Sequence, residues 1–226
     1  MYEVRLHGRG GQGAVMAAGM LAAALVAEGK FAVAIPSFGF ERRGAPVVAF
    51  LRTDPLEIRR MTNITHPDCV ICIDPTVSRS VNIYSGMKTG GALVLTTAKP
   101  LSGLEIPEIV HTVGFIDAVR LAIEIFRRPI TNTLMLGAFA RTTGIVLLDS
   151  LKQALLESEF RDAGLDQNLV QLLEEARIVE LHGRNVDRDL QRLRPRGGLA
   201  ARRPQNPVSD RQDRAGFLGN RDEHRR

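Results

Sequence analysis

The 226-residue chain contains no tryptophan, and aromatic residues make up only 5% of it. Stacking platforms for nucleic-acid bases are therefore nearly missing. Cysteine is as scarce: Cys69 and Cys72 are the whole supply, too few for a disulfide framework or for the four thiolates of an iron–sulfur cluster. No stretch reaches the roughly 18 apolar residues of a membrane span, and the N-terminus lacks the basic-then-apolar pattern of a secretory signal. The chain reads as cytoplasmic, with neither a membrane nor a nucleic acid among its expected partners. H-E-x-x-H, the Walker loop and the G-x-S-x-G elbow are absent too. His7, His66, His111 and His182 share no spacing. They read as structural residues, and no catalytic or metal-binding residue is assigned.

Charge is unevenly spread. The net charge is +5, yet residues 184–226 hold twelve arginines against six acids, which leaves the preceding body close to neutral. A basic pI therefore says nothing about the body as a nucleic-acid binder. Beyond about Leu181, Arg194-Pro195-Arg196-Gly197-Gly198 and Arg202-Arg203-Pro204 offer nothing that forms a core. The expectation is a folded unit over 1–182 and an Arg-rich extended or disordered tail over 183–226.

What is present is a strand running into a glycine cluster and then an alanine-rich helix, Ala14 to Ala27. Gly8, Gly10 and Gly13, with Arg9, Gly11 and Gln12 between them, satisfy G-x-G-x-x-G in the strand–turn–helix context where that spacing has a physical meaning. The helix N-terminus aims unpaired N–H groups at whatever fills the turn. A dinucleotide site also needs an acid at the end of the second strand, and Phe31–Ile35 is followed by Pro36 and Ser37 instead. Three readings stay open: a close-packed crossover, an anion or phosphate site, and a nicotinamide dinucleotide site.

The segment Pro36-Ser37-Phe38-Gly39-Phe40-Glu41-Arg42-Arg43-Gly44-Ala45-Pro46 is bracketed by glycine and proline, and presents one acid and two arginines. It reads as an ordered loop beside the glycine turn. Glu41 either pairs with a neighbouring arginine, or Arg42 and Arg43 serve a carboxylate, a phosphate or a partner subunit. Strands are expected at Val47–Arg52, Cys69–Ile73, Ala92–Leu95 and within Ile106–Val113. Helices are expected over 55–65, Gly114–Arg127, Asn132–Arg141, 148–158 and Asn168–Arg177. Cys69 and Cys72 sit three apart in a strand, so they point to opposite faces and read as core residues. The alternation predicts an α/β domain, its mostly parallel sheet covered on both faces.

Four strings, taken in order, resemble a known family: Leu6-His7-Gly8-Arg9-Gly10-Gly11-Gln12-Gly13-Ala14-Val15; the loop from Pro36 to Val47; His66-Pro67-Asp68 with Asp74-Pro75; and Asn132-Thr133-Leu134-Met135-Leu136-Gly137-Ala138. Over residues 3–177 the chain is similar to the gamma subunit of the 2-oxoacid:ferredoxin oxidoreductases, the pyruvate synthase family. Phe40 stands where that family often carries proline.

The resemblance implies a Rossmann-like three-layer domain within a complex that converts a 2-oxoacid to an acyl-CoA. Pyruvate is the default substrate; 2-oxoglutarate, branched-chain and aromatic 2-oxoacids such as phenylglyoxylate are open. It implies thiamine diphosphate, Mg2+ and [4Fe-4S] clusters held by alpha and beta subunits and a ferredoxin-like delta subunit. Electrons would leave to ferredoxin or, through an added NAD-linked flavoprotein subunit, to NAD. The chain itself would be structural or face coenzyme A, through Gly8, Arg9, Gly10, Gly11, Gln12, Gly13, Glu41, Arg42 and Arg43. The competing readings are a stand-alone nucleotide-binding oxidoreductase, which the missing acid argues against, and a nucleic-acid adaptor acting through the tail.

Overall fold

Strand β1 (Tyr2–Arg9) alternates strictly. Val4 and Leu6 enter one hydrophobic cluster, and Glu3, Arg5 and His7 turn to the opposite face. In the computed structural model, which describes residues 1–37, 44–157 and 177–180, this strand lies inside a seven-stranded sheet. Helix α1 (Ala14–Ala27) leads to β2 (Phe31–Pro36), which returns directly as β3 (Pro46–Asp54). Then follow β4 (Cys69–Cys72), β5 (Gly91–Thr96), β6 (Val110–Ile116), helices α2 (Ala118–Phe126), α3 (Asn132–Thr143) and α4 (Leu148–Glu157), and β7 (Arg177–Glu180). The strand order is β2-β3-β1-β4-β5-β6-β7.

Pairs β1–β4, β4–β5 and β5–β6 are parallel; β1–β3, β2–β3 and β6–β7 are antiparallel. Five strands thus run one way, with β3 and β7 against them. Only residues 37–45 separate β2 from β3, too few for a parallel crossover, so the chain turns back antiparallel, and β3 slots between β1 and β2.

The four helices among the described residues pack on one face. Ala17, Leu21, Leu25, Leu121, Leu136, Phe139, Leu151 and Leu155 meet Val4, Leu6, Leu51, Ile71 and Val94 there. The other face carries Val70, Cys72, Leu93, Leu95 and Val113, covered by short 3-10 turns at Val77–Arg79 and Leu101–Gly103 and by Ile83 and Met87. Cys69 and Cys72 are buried on opposite faces. Burial raises the pKa of both thiols, Cys72 to about 12, so neither is a thiolate near neutrality.

Two expected helices are corrected, and a third falls almost wholly outside the described residues. Residues 55–65 form no helix. The Arg52 guanidinium, 1% exposed, takes up the carbonyls of Arg60 (3.1 Å), Thr62 (2.5 Å) and Asn63 (3.5 Å), and its Nε donates to Glu3 at 2.9 Å. A buried guanidinium needs those acceptors, and a helix would have used them internally. Ile58 is buried while Leu56 and Met61 stay outside. The helix expected from Gly114 starts only at Ala118, because residues 114–116 complete β6; Asp117 caps it, its carboxylate accepting the Arg120 N–H at 3.2 Å. Of the helix expected over Asn168–Arg177, residues 168–176 lie outside the described residues, and Arg177 opens strand β7. The expected tail, 183–226, also lies outside them.

Candidate anion-binding site at the glycine turn

β1 ends at the C-terminal edge of the parallel strands, where Gly10 to Gly13 turn the chain into α1. Gly13 is the residue before the helix and takes φ 75°. A side chain there would be strained, and its Cβ would lie 2.5 Å from Asn132 Nδ2. Glycine is thus required both for the turn and for the approach of α3. The N-terminus of α1 has no side-chain cap; its first backbone bond is Ala17 N–H to Gly13 O, 2.9 Å. The N-terminus of α3 lacks one also. Both open on one cavity of about 510 Å3, lined by Gly11, Gln12, Gly13, Asp74, Thr131 and Asn132 and rimmed by Met16, Val119 and Ile130.

Two helix N-termini aimed at one space create positive potential without a mobile cation. Asn132 adds a donor. It is 4% exposed, its Oδ1 accepts the Thr133 N–H at 3.0 Å, and its Nδ2 stands beside Gly13. An amide N–H2 at a cavity wall fits an anionic or carbonyl oxygen.

Arg9 and Gln12 have a different occupation. Arg9 Nε donates to Thr76 Oγ1 at 3.0 Å, Nη2 to Thr76 O at 3.3 Å and Nη1 to Gly44 O at 3.0 Å. Gln12 Oε1 accepts the Arg9 N–H at 2.7 Å, and its Nε2 donates to Asp74 Oδ2 at 2.6 Å. Asp74 Oδ1 in turn accepts the Thr76 N–H and hydroxyl. Burial alone raises the Asp74 pKa. The Thr76 hydroxyl, the Gln12 amide, the Thr76 N–H and the Arg9 guanidinium outweigh it and hold the carboxyl below the ordinary aspartate value. This network clamps the glycine turn to the end of β4.

Glu41, Arg42 and Arg43 lie outside the described residues, but the ends of their loop are placed. Gly10 N–H donates to Ala45 O at 2.8 Å and Gly44 N–H to Gly10 O at 3.1 Å. The loop therefore leaves from the edge of β3, where Ser37 N–H donates to Val48 O, and finishes beside the glycine turn. Gly8 and Gly10 belong to the strand and its turn; Gly11, Gln12 and Gly13 face the cavity. Sequence reasoning left Thr131 and Asn132 unassigned. The available signal was a polar pair directly before a small-residue helix, and only the fold shows that it meets a turn more than a hundred residues earlier.

The described residues contain no group of three or more His, Cys, Asp or Glu side chains placed to hold a metal ion, and no helix among them is long and apolar enough to cross a membrane. With its cysteines on opposite faces, the chain has no donor set that fits an iron–sulfur cluster.

The model of the pyruvate ferredoxin/flavodoxin oxidoreductase family matches residues 3–177. The chain is 69% identical over 172 residues to the gamma subunit of NADH-dependent phenylglyoxylate dehydrogenase from Aromatoleum evansii, covering 76% of this chain and 90% of that protein. It is 47% identical over 158 residues to the pyruvate synthase subunit PorC of Methanothermobacter thermautotrophicus, covering 70% and 85%. The crystal structure of the pyruvate oxidoreductase subunit PORC from Thermotoga maritima aligns with TM-score 0.66 and 34% identity, over 79% of this chain and 98% of that one. The chain belongs to the pyruvate ferredoxin/flavodoxin oxidoreductase family, as a gamma subunit of a multisubunit 2-oxoacid oxidoreductase.

Proposed function

We propose that the complex containing this chain oxidises an aromatic 2-oxoacid of the phenylglyoxylate type to its acyl-CoA and passes the electrons to NAD. The observation that carries this reading is the 69% identity to a phenylglyoxylate dehydrogenase gamma subunit, against 47% for a pyruvate synthase subunit. Thiamine diphosphate, Mg2+ and [4Fe-4S] clusters belong to alpha, beta and ferredoxin-like delta partners, and a flavoprotein subunit links the electrons to NAD. The chemistry of this chain's donor set supports that division.

Within the complex, this chain faces coenzyme A. Two uncapped helix N-termini, the Asn132 amide at the cavity wall and an apolar rim of Met16, Val119 and Ile130 suit a molecule that joins phosphates to a less polar arm. Gly11, Gln12, Gly13 and Asn132 would receive a phosphate, Arg42 and Arg43 of the neighbouring loop are further candidate partners for it, and Arg9 holds the turn in place.

The test is anaerobic assay of the assembled complex. Coenzyme A-dependent NAD+ reduction with phenylglyoxylate, and little with pyruvate, is expected; activity with pyruvate alone overturns the substrate assignment. Asn132→Asp keeps the side-chain shape but sets a carboxylate at the cavity floor. It should raise the KM for coenzyme A about tenfold or more, the cost of one charge-assisted contact, and leave the KM for the 2-oxoacid unchanged. An unaltered KM for coenzyme A removes this cavity from coenzyme A binding.

A further inference from the structure

Strand β2 is the outermost of the sheet, and among the described residues its only strand partner is β3. Its sequence, Phe31-Ala32-Val33-Ala34-Ile35-Pro36, carries no charge, and Phe31 is 47% exposed. Charges, bulges and covering segments are the usual means by which proteins protect a sheet edge, and no charge or bulge interrupts this one. The helix above has the same character. All fourteen residues of α1 are uncharged, and Gly19, Ala23, Val26 and Ala27 are exposed along it. Among the described residues the helices packed most against α1 are α3 and α4, and α3 lies over β5 and β6, away from the β2 edge.

The hydrogen-bond parity of the edge is fixed by its inner side. Ser37 N–H donates to Val48 O, which continues a register pairing Ile35 with Phe50 and Val33 with Arg52. Phe31, Val33 and Ile35 therefore spend their backbone groups on β3, while Ala32 and Ala34 point theirs outward. Pro36 falls on the outward side as well, so its missing N–H costs the β3 ladder nothing and ends the free edge.

We infer that this edge is an interface between two copies of this chain, paired antiparallel through β2 about a two-fold axis at Val33. Only an even-numbered pairing sum keeps each residue on its own face, and centring on Val33 sets Ala32 opposite Ala34 of the second copy. These two exchange both backbone bonds, giving four across the axis. Phe31 then lies opposite Ile35, an aromatic–β-branched pair. Val33 meets its own counterpart, an apolar self-contact at the axis.

Charge favours a second copy as the occupant. A two-fold places like on like, so any charge near the axis must already be paired. Arg52, opposite Val33 on β3, is buried and pairs with Glu3 at 2.9 Å. Lys30 pairs with Glu28 at 2.8 Å, and its two copies stand about 20 Å apart at ordinary strand rise, beyond a screening length of about 8 Å. The helices fit too. α1 lies over β2 and β3 equally, hence about 5 Å from the axis at a strand spacing of about 4.8 Å. The two α1 helices would run about 10 Å apart, the distance of packed helices, with Gly19 and Ala23 available for close approach.

The test is Val33→Cys in the assembled complex, oxidised mildly and run on a non-reducing gel. In the inferred register the two positions form a non-hydrogen-bonded pair with Cα atoms about 4.5 Å apart, within disulfide range. Cys69 and Cys72 are buried and do not compete. A band at twice the chain's 24.8 kDa, absent from an Ala32→Cys control, is the expected result. Equal cross-linking of the control overturns the register. No doubled band overturns the interface altogether, whether the Val33→Cys thiol labels freely with a maleimide, showing an open edge, or resists it, showing another segment in place.

Discussion

His7 sits in the middle of the motif that runs into the glycine turn, yet its ring is 3% exposed, and neither ring nitrogen has a hydrogen-bond partner among the described residues. Burial first, and the Arg5 guanidinium second, push its pKa down to about 4. In the unfolded chain the imidazole titrates near 6.5, so the unfolded state binds the proton first as pH falls. His7 therefore costs no stability above about pH 6.5 and destabilises progressively between about 6.5 and 4, by on the order of 3 kcal/mol in full. Urea unfolding of the purified chain at pH 7.5 and 4.5 should show this loss, and His7→Leu should lose less over the same interval. Equal losses in both proteins would place the acid sensitivity elsewhere. Arg9 illustrates a second point at this scale: an arginine inside a glycine-rich turn invites a ligand role, but three backbone and side-chain acceptors already hold it.

At the scale of elements, boundaries follow from contacts that distant segments impose. Residues 114–116 read as the start of a helix because Phe115, Ala118, Leu121 and Ala122 share a helical face. Pairing with β5 takes them into the sheet instead. The close fit of that strand to α3 makes Gly114 necessary, since a Cβ there would collide with the Thr142 side chain. Gly114→Ala should cost about 1–3 kcal/mol by overpacking, and Thr142→Ala in the same chain should restore part of it, because it removes the hydroxyl and methyl in conflict while its Cβ stays close. Chemical denaturation of the single and double variants measures that coupling; additive losses would mean that the two sites do not meet. Arg52 reshapes residues 55–65 by the same logic, since satisfying one buried cation outranks the helical pattern of three apolar residues.

For the whole molecule, the described residues cover the sheet asymmetrically, with four helices on one face and short turns and coil on the other. Both uncapped helix N-termini then fall at the same edge as the glycine turn. The family match ends at residue 177 and the last described strand at Glu180, while the arginine excess begins at Arg184. Ending the chain after residue 182 should therefore change its melting temperature by no more than about 2 °C, within the range of surface changes of a few tenths of a kcal/mol. A fall of ten degrees would show that residues 183–226 belong to the folded unit.

The sequence by itself determined the local features: the glycine turn, the boundaries of α1, the strands β1 to β5, the opposed cysteines and the family. Each rests on neighbours within one or two turns of chain, where spacing and backbone sterics speak directly, and the glycine motif joined to the Arg42–Arg43 loop was specific enough to name a subunit type. The tertiary structure decided what depends on distant residues. It inserted β3 between β1 and β2, kept residues 55–65 out of a helix, and brought Asn132 to Gly13 across more than a hundred residues. No periodicity records which helix N-termini will share a cavity, because that follows from the order of strands in the sheet, and strand order is set by packing rather than by the chain's local pattern.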